Sequence, residues 1–321
     1  MTAQRGYIDG DHADGVLGVH SLDSFSFSVP DLALAESFHR AFGLDVAEQG
    51  GSLALRTFGT DHVWGTITEG PGRKALGHLS FGVYEEDLPR FRKVLAHHGI
   101  ARLDPPAGME SNGLWLRDPD GTLIELKVAP KTSPDGKSSG MLVSSAEGVA
   151  GAPGRKSVQP VRPNRMSHIL LFTKDVQRAV SFYAQVLGLA LSDRTGNEIA
   201  FMHGRHGSEH HMVAFVRSDG PGIHHTSWDV PTIHEMGLGA MQMADRGYDR
   251  GWGLGRHVLG SNYFHYVRDP WGSHVEYSCD MDYIPKGLDW DAADHDAEDA
   301  FYVWGPVPPK DFGVNYETAE A

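Results

Sequence analysis

The chain carries a single cysteine, Cys279, so no internal disulfide framework can form and a reducing compartment is expected. It is also short of positive charge: 28 Lys and Arg stand against 42 Asp and Glu, a formal net charge of −14. That balance excludes a nucleic-acid backbone as main partner, because such binders cluster Lys and Arg on one face. Apolar runs long enough to span a membrane, about 18 residues, are missing. The first 20 residues, MTAQRGYIDGDHADGVLGVH, lack a charged-then-apolar leader pattern, so a cytoplasmic location is the expectation. What remains is an ordinary globular composition, 40% hydrophobic and 22% charged, at a two-domain length of 321 residues.

Histidine is abundant. There are 19, and 11 of them fall between residues 165 and 280. The chain also repeats itself. Residues 267–277 read VRDPWGSHVEY and residues 116–126 read LRDPDGTLIEL, with Glu276 and Glu125 at the same distance from the turn. A carboxylate in a burial-prone strand needs hydrogen bonds, an opposite charge or a metal. SLDSFSFSVPDLALAESFHRAFGL (21–44) matches RMSHILLFTKDVQRAVSFYAQVLGL (165–189), and LGHLSFGVYEEDLPRFRKVLAHHGI (76–100) matches IHHTSWDVPTIHEMGLGAMQMADRGY (223–248). Each stretch reads as a strand followed by an amphipathic helix, with Asp31 and Asp175 suited to helix N-termini.

These repeats predict an α+β fold of four βαβββ modules, paired into two cup-like domains because a lone module would expose its apolar sheet face. The expected boundaries are residues 1–129 for a first, non-catalytic domain and 165–285 for a catalytic one. A Pro/Gly/Ser-rich linker (130–164) joins them, and an acidic tail (286–321) covers or flanks the site.

Alternate strand residues share a face. His168 on MSHILLF, His225 on HHTSWDV and Glu276 on the closing strand can therefore meet inside one cup. Two histidines and a carboxylate are the ligand set of a non-haem Fe(II) site with open positions, and zinc is chemically possible too.

With MSHILLF, GPGIHHTSWDV, LGRHVLGSNYFHYVRDPWGSHVEY and DMDYIP, the second half resembles the type I extradiol ring-cleaving dioxygenases of the vicinal oxygen chelate (glyoxalase-like) superfamily. The resemblance implies that His168, His225 and Glu276 ligate Fe(II), with Mn(II) the other candidate ion. It implies an acid/base role for His211 and hydrogen-bonding roles for His257 and Tyr266. Leu170, which shares the face of His168, and His203, Trp252 and Leu259 become substrate-pocket candidates. The implied reactants are a catecholic diol and dioxygen, and the implied assembly is a homo-oligomer. His210 is the rival of His211, since only one of two adjacent strand residues can face the cup; by the same rule His265 reads as structural. The resemblance, which puts the ligand at the second of the pair 224 and 225, leaves His224 as structural. His274 shares the face of Glu276. In the first half His78 and Glu125 occupy the matching places, but Ser24 replaces the third ligand, so a metal-free duplicate is expected there. Arginines that would hold a substrate carboxylate are absent, Trp252 standing at one such position, which favours a neutral or apolar substrate. Phe301, Tyr302 and Trp304 would anchor the tail. The competing readings are a glyoxalase-like isomerase or thiol transferase on a divalent metal, and a metal-free small-molecule binder.

Overall fold

A computed structural model describes residues 12–138, 140 and 144–318. Part of the segment read for a leader (1–11), positions 139 and 141–143 of the linker, and residues 319–321 of the tail lie outside the described residues.

In the first half β1 (Ser21–Val29) leads into α1 (Leu32–Phe42), then β2 (Asp45–Gln49), β3 (Ser52–Arg56) and β4 (Gly65–Glu69). A second module follows with β5 (Ala75–Val83), α2 (Leu88–His97), β6 (Leu114–Arg117) and β7 (Leu123–Val128). One of its strands has shrunk to a single bridge between Leu103 and Trp115. The second half begins with β8 (Arg165–Thr173), α3 (Val176–Leu187), β9 (Ala190–Thr195), β10 (Ile199–His203), the short β11 (Ser208–Glu209) and β12 (Val213–Arg217). It continues through β13 (Gly222–Asp229), α4 (Ile233–Ala244), β14 (Gly251–His257), β15 (Tyr263–Arg268) and β16 (His274–Cys279). The tail adds β17 (Tyr283–Ile284), β18 (Ala293–Asp294), α5 (Ala297–Ala300) and β19 (Tyr302–Trp304).

Two large sheets result, ordered β2-β3-β4-β1-β5-β7-β6 and β18-β9-β10-β12-β8-β13-β16-β15-β14-β19. Within every module the first strand pairs in parallel with the last. The two modules of each half join through their first strands, β1 with β5 and β8 with β13, both antiparallel. The pairing therefore repeats with the sequence. Helices α1 and α4 pack together, as do α2 and α3, so one apolar core runs through both halves. Phe42 stacks on Tyr277 at 3.9 Å between centroids, and the Tyr277 hydroxyl donates to the Phe42 carbonyl. Such a ring pair adds about 0.5–1.5 kcal/mol beyond its buried area. The other face of each sheet curves round a cavity.

Helix ends follow from the residues placed there. Asp31 and Asp175 accept the backbone N–H of Leu34 and Arg178, satisfying donors that a first turn leaves unpaired. Gly43 and Gly188 close α1 and α3 in the left-handed conformation. At Gly188 φ is +72°, and a Cβ would lie 2.2 Å from the Leu17 carbonyl oxygen. Gly188→Ala is expected to cost about 3 kcal/mol from strain and overlap together, read as a lower denaturation midpoint at unchanged slope.

Candidate metal centre

Register builds the site. Across three neighbouring strands His168 pairs with Ser227, and Ser227 with Glu276, which puts these residues in one row. The small serine in the middle leaves room between its larger neighbours. His225 lies two residues along β13 on the same face. The result is a triangle of donor atoms. Nε2 of His168 and of His225 are 3.1 Å apart, and Oε2 of Glu276 is 3.2 and 3.4 Å from them. Ligands about 2.1 Å from an ion lie about 3.0 Å apart at right angles and about 3.4 Å apart in a tetrahedron. The triangle fits one ion and falls between the two geometries.

The chemistry of the donor set fits as well. Glu276 is fully buried, and among the described residues no hydrogen bond satisfies its Oε2. Its Oε1 has a long bond from Asn262 Nδ2, at 3.4 Å. Burial, then the surrounding imidazoles, hold His225 well below its usual range, so that ring is neutral. His168 Nδ1 is 3.2 Å from the Ser167 hydroxyl, which in turn donates to Glu209 Oε2 at 2.7 Å. A hydroxyl has one proton to give. Ser167 therefore accepts from His168 Nδ1, and in a neutral ring with that proton Nε2 is the nitrogen with the lone pair. Lone pairs converging on a buried carboxylate oxygen repel one another, and a cation removes the repulsion. Glu209 is fixed from behind by Arg165, which also faces Asp229 at 3.6 Å.

A cavity of about 450 Å³ opens over this triangle. His168, His225, His211, His257, Tyr266, Leu170 and Leu259 all line it. The His211 ring lies 4.2 Å from that of His168. Burial, then the rings of His168, His210 and His257, hold it well below its usual range. His257 Nδ1 donates to the Phe301 carbonyl at 2.9 Å, so its Nε2 accepts from the Tyr266 hydroxyl, also at 2.9 Å. Burial, then Glu276, raise Tyr266 well above the usual phenol range, which keeps that proton in place. His210 faces away from the cavity, toward Asp193.

Two pocket candidates are corrected. His203 does not line the cavity; its Nδ1 bonds Ser192 at 2.8 Å, and it borders a separate hollow beside Trp290. The β9–β10 register shift leaves Ser192 of β9 unpaired, and His203, the last residue of β10, bonds to it, while Phe201 lines the cavity. Trp252 stands in the row of Tyr266 but is sealed from the cavity. Phe301 stacks on it at 4.9 Å and its Nε1 donates to the Pro306 carbonyl. The structural reading of His224 also changes. A bulge between Ile223 and His225 brings both histidines to the cavity, with their Nδ1 atoms 2.8 Å apart. His274 packs on His224 and Phe312 outside the lining. Phe312 and Asn262 line the cavity too; no strand alternation signals a loop asparagine or a tail phenylalanine.

The tail forms one wall. Of its three expected anchors only Phe301 reaches the cavity; Tyr302 meets Trp252 from outside and Trp304 is exposed beside Tyr263. Its far end is pinned by Glu317, which accepts the backbone N–H groups of Leu76 and Ile223, one from each half.

Two other groupings show by contrast what the triangle lacks. In the first half Glu125 accepts from the Ser80 hydroxyl at 2.5 Å and from Ser111, while His78 Nδ1 pairs with Ser26 at 2.6 Å. Between the halves His12, Asp87 and His206 also lie close together. There the donors have partners: Asp87 pairs with Arg90, and His206 bonds Ala13 N–H and the Gly18 carbonyl. Glu276 Oε2 has none.

The family model for the Glyoxalase/Bleomycin resistance protein/Dioxygenase superfamily matches residues 165–277. Metapyrocatechase 2 of Cupriavidus necator is 50% identical over 300 residues, 93% of each chain. An extradiol ring-cleaving dioxygenase from B. fuscum superposes with a TM-score of 0.74 at 20% identity, over 94% of this chain and 83% of that one. A Mn(II)-bound glyoxalase from Novosphingobium aromaticivorans does so with a TM-score of 0.74 at 22% identity, over 92% and 94%. At such identities the structural likeness speaks for the fold alone.

Proposed function

The chain belongs to the glyoxalase/bleomycin resistance protein/dioxygenase superfamily, among its extradiol dioxygenases, and from that premise we propose that it opens catecholic rings beside the diol with dioxygen, inserting both oxygen atoms. The observation that carries this reading is the buried, unsatisfied Oε2 of Glu276 facing two imidazole nitrogens under an open cavity. His168, His225 and Glu276 would hold Fe(II), with Mn(II) the other candidate. When bound, the ion would supply a Lewis acid and a redox link between diol and dioxygen.

The protein's own groups do the rest. His211 takes a proton from a substrate hydroxyl and returns it later, since an imidazole has the intrinsic basicity for both. Tyr266 and His257, bonded to each other, offer a hydrogen bond to the substrate oxygen once the hydroxyl turns toward it. Leu170, Leu259, Phe201 and Phe312 hold the ring in an apolar slot and keep water from it. The 50% identical metapyrocatechase favours this reading over an isomerase, a thiol transferase or a metal-free binder.

The substrate's substituent is apolar or neutral in this proposal. Among the described residues no Lys or Arg lines the cavity, and the rim carboxylate Glu198 is paired with Arg217. A substrate carboxylate would be desolvated without a partner, at about 3–5 kcal/mol. Protein purified without oxygen, loaded with Fe(II) and mixed with air is expected to turn alkylcatechols into yellow ring-opened products. Its kcat/KM for them should be about 100-fold or more above that for catechols bearing a carboxylate side chain. Zinc-loaded protein should give no colour. Absence of colour with Fe(II), or equal colour with zinc, would sink the reading. Identical chains are proposed to associate, with exposed Val303, Trp304 and Val307 beside the free edge of β19 in support. No described helix is long and apolar enough to cross a membrane. A cytoplasmic location is also proposed, and the one buried, unpaired Cys279 supports it.

A further inference from the structure

Behind His211 runs a line of polar groups that the proposed reaction leaves unused. His210 is fully buried and has no share in the cavity wall. Its Nδ1 lies 3.1 Å from Nδ1 of His211, and its Nε2 lies 2.7 Å from Oδ2 of Asp193. The other oxygen of Asp193 accepts from His295 Nε2 at 2.7 Å and from the Ala293 N–H at 3.1 Å. Burial works to raise this carboxyl, but the hydrogen bonds from His210, His295 and Ala293 outweigh it, so the group is held below its usual range and is ionised.

An ionised carboxylate only accepts, so the proton of His210 sits on Nε2. A neutral His210 then presents a lone pair at Nδ1, and His211 must donate its own Nδ1 proton to it. Nε2 of His211 is left bare. We propose that Asp193 and His210 are positioning residues for the acid/base step: through two successive hydrogen bonds they keep the ring proton of His211 on Nδ1, so that Nε2 meets the substrate hydroxyl as a lone pair. The proposal rests on the acid/base reading of His211. It concerns which nitrogen carries the proton, at a fixed number of protons. Neither Asp193 nor His210 touches substrate; both act through His211.

Asp193→Asn inverts the line without changing its shape. The Ala293 N–H needs an acceptor, so the amide oxygen stays on that side and the amide nitrogen faces His210. His210 then accepts at Nε2 and donates from Nδ1, which forces the His211 proton onto Nε2. Asp193→Ala removes the constraint without imposing the wrong arrangement. With the Fe(II)-loaded full chain and a catechol substrate, D193N is expected to lower kcat about 100-fold or more. D193A should lower it by less, and KM and Mn(II) affinity should stay within about threefold of the parent in both. Nitrogen-15 spectra of histidine-labelled full chain should show His211 protonated on Nδ1 in the parent and on Nε2 in D193N, a readout independent of turnover. His210→Phe, which cannot accept, provides a second route should the Asp193 variants fold poorly, with a loss nearer that of D193A.

Equal losses in D193N and D193A that follow their melting temperatures would reduce the line to a structural prop and overturn the proposal. If D193N works at the parent rate while His211→Ala does not, the proposal falls and the acid/base reading stands. If His211→Ala itself turns over normally, both fall.

Discussion

Glu276→Gln is expected to lower divalent-metal affinity by 10²- to 10³-fold or more and to take turnover at micromolar iron to background. The carboxylate is fully buried and contributes the negative charge of the triangle. Withdrawing one partner from a buried charged set costs about 3–5 kcal/mol. The metal-free protein should respond in the opposite sense. Without an ion, Glu276 Oε2 faces two nitrogens and no hydrogen bond satisfies it. A glutamine amide can donate to them, recovering about 1–3 kcal/mol of unsatisfied-group penalty. Metal-free Glu276→Gln should therefore melt above metal-free parent, while added Mn(II) raises the parent's melting temperature and leaves the variant's unchanged. A metal-free variant less stable than the parent, or one that binds metal equally well, would show that this triangle is not the metal centre.

Much of this arrangement follows from a repeat visible in the sequence. The turn-and-strand phrase around Glu125 and Glu276 places both acids opposite a serine of the same module's first strand, Ser80 and Ser227. Ser24 and His168 are likewise the fourth residues of β1 and β8. Period-two alternation, applied to those strands, brings His168, Ser227 and Glu276 into one row. It fails where the ladder slips by a residue. The bulge before His225 brings His224 to the cavity as well, and the slip that leaves Ser192 of β9 unpaired gives His203 a partner away from the cavity. Nothing in a strand pattern announces such slips, because they depend on how two partners settle against each other. Trp252 shows a different limit. Its strand position points it toward the site, but residues some fifty positions later cover it. Tail contacts of that kind obey no short-range rule. The charge line from Arg165 through Glu209 and Ser167 to His168 was equally hidden, since Glu209 enters it from a two-residue strand.

His211→Ala should separate chemistry from metal binding. The His211 ring stands beside the triangle, 4.2 Å from His168, and is not one of its three donors. Removing it leaves His168, His225 and Glu276 with their supports, Ser167 and His224, untouched. Metal affinity should stay within a few-fold of the parent. Substrate binding should also survive, because the apolar slot of Leu170, Leu259 and Phe312 is intact. What is lost is a group able to accept and return a proton inside a largely apolar cavity. A positioned acid/base group contributes about 10²- to 10⁴-fold, so kcat should fall by that factor with KM little changed. The space left by the ring adjoins the cavity, and added imidazole should restore part of the rate. The neighbouring residues sharpen the test. Tyr266 and His257 keep their mutual hydrogen bond in this variant, so any residual rate measures what they contribute without His211. Turnover at the parent rate would move the acid/base role elsewhere, and loss of metal together with turnover would make His211 a support for the ligands.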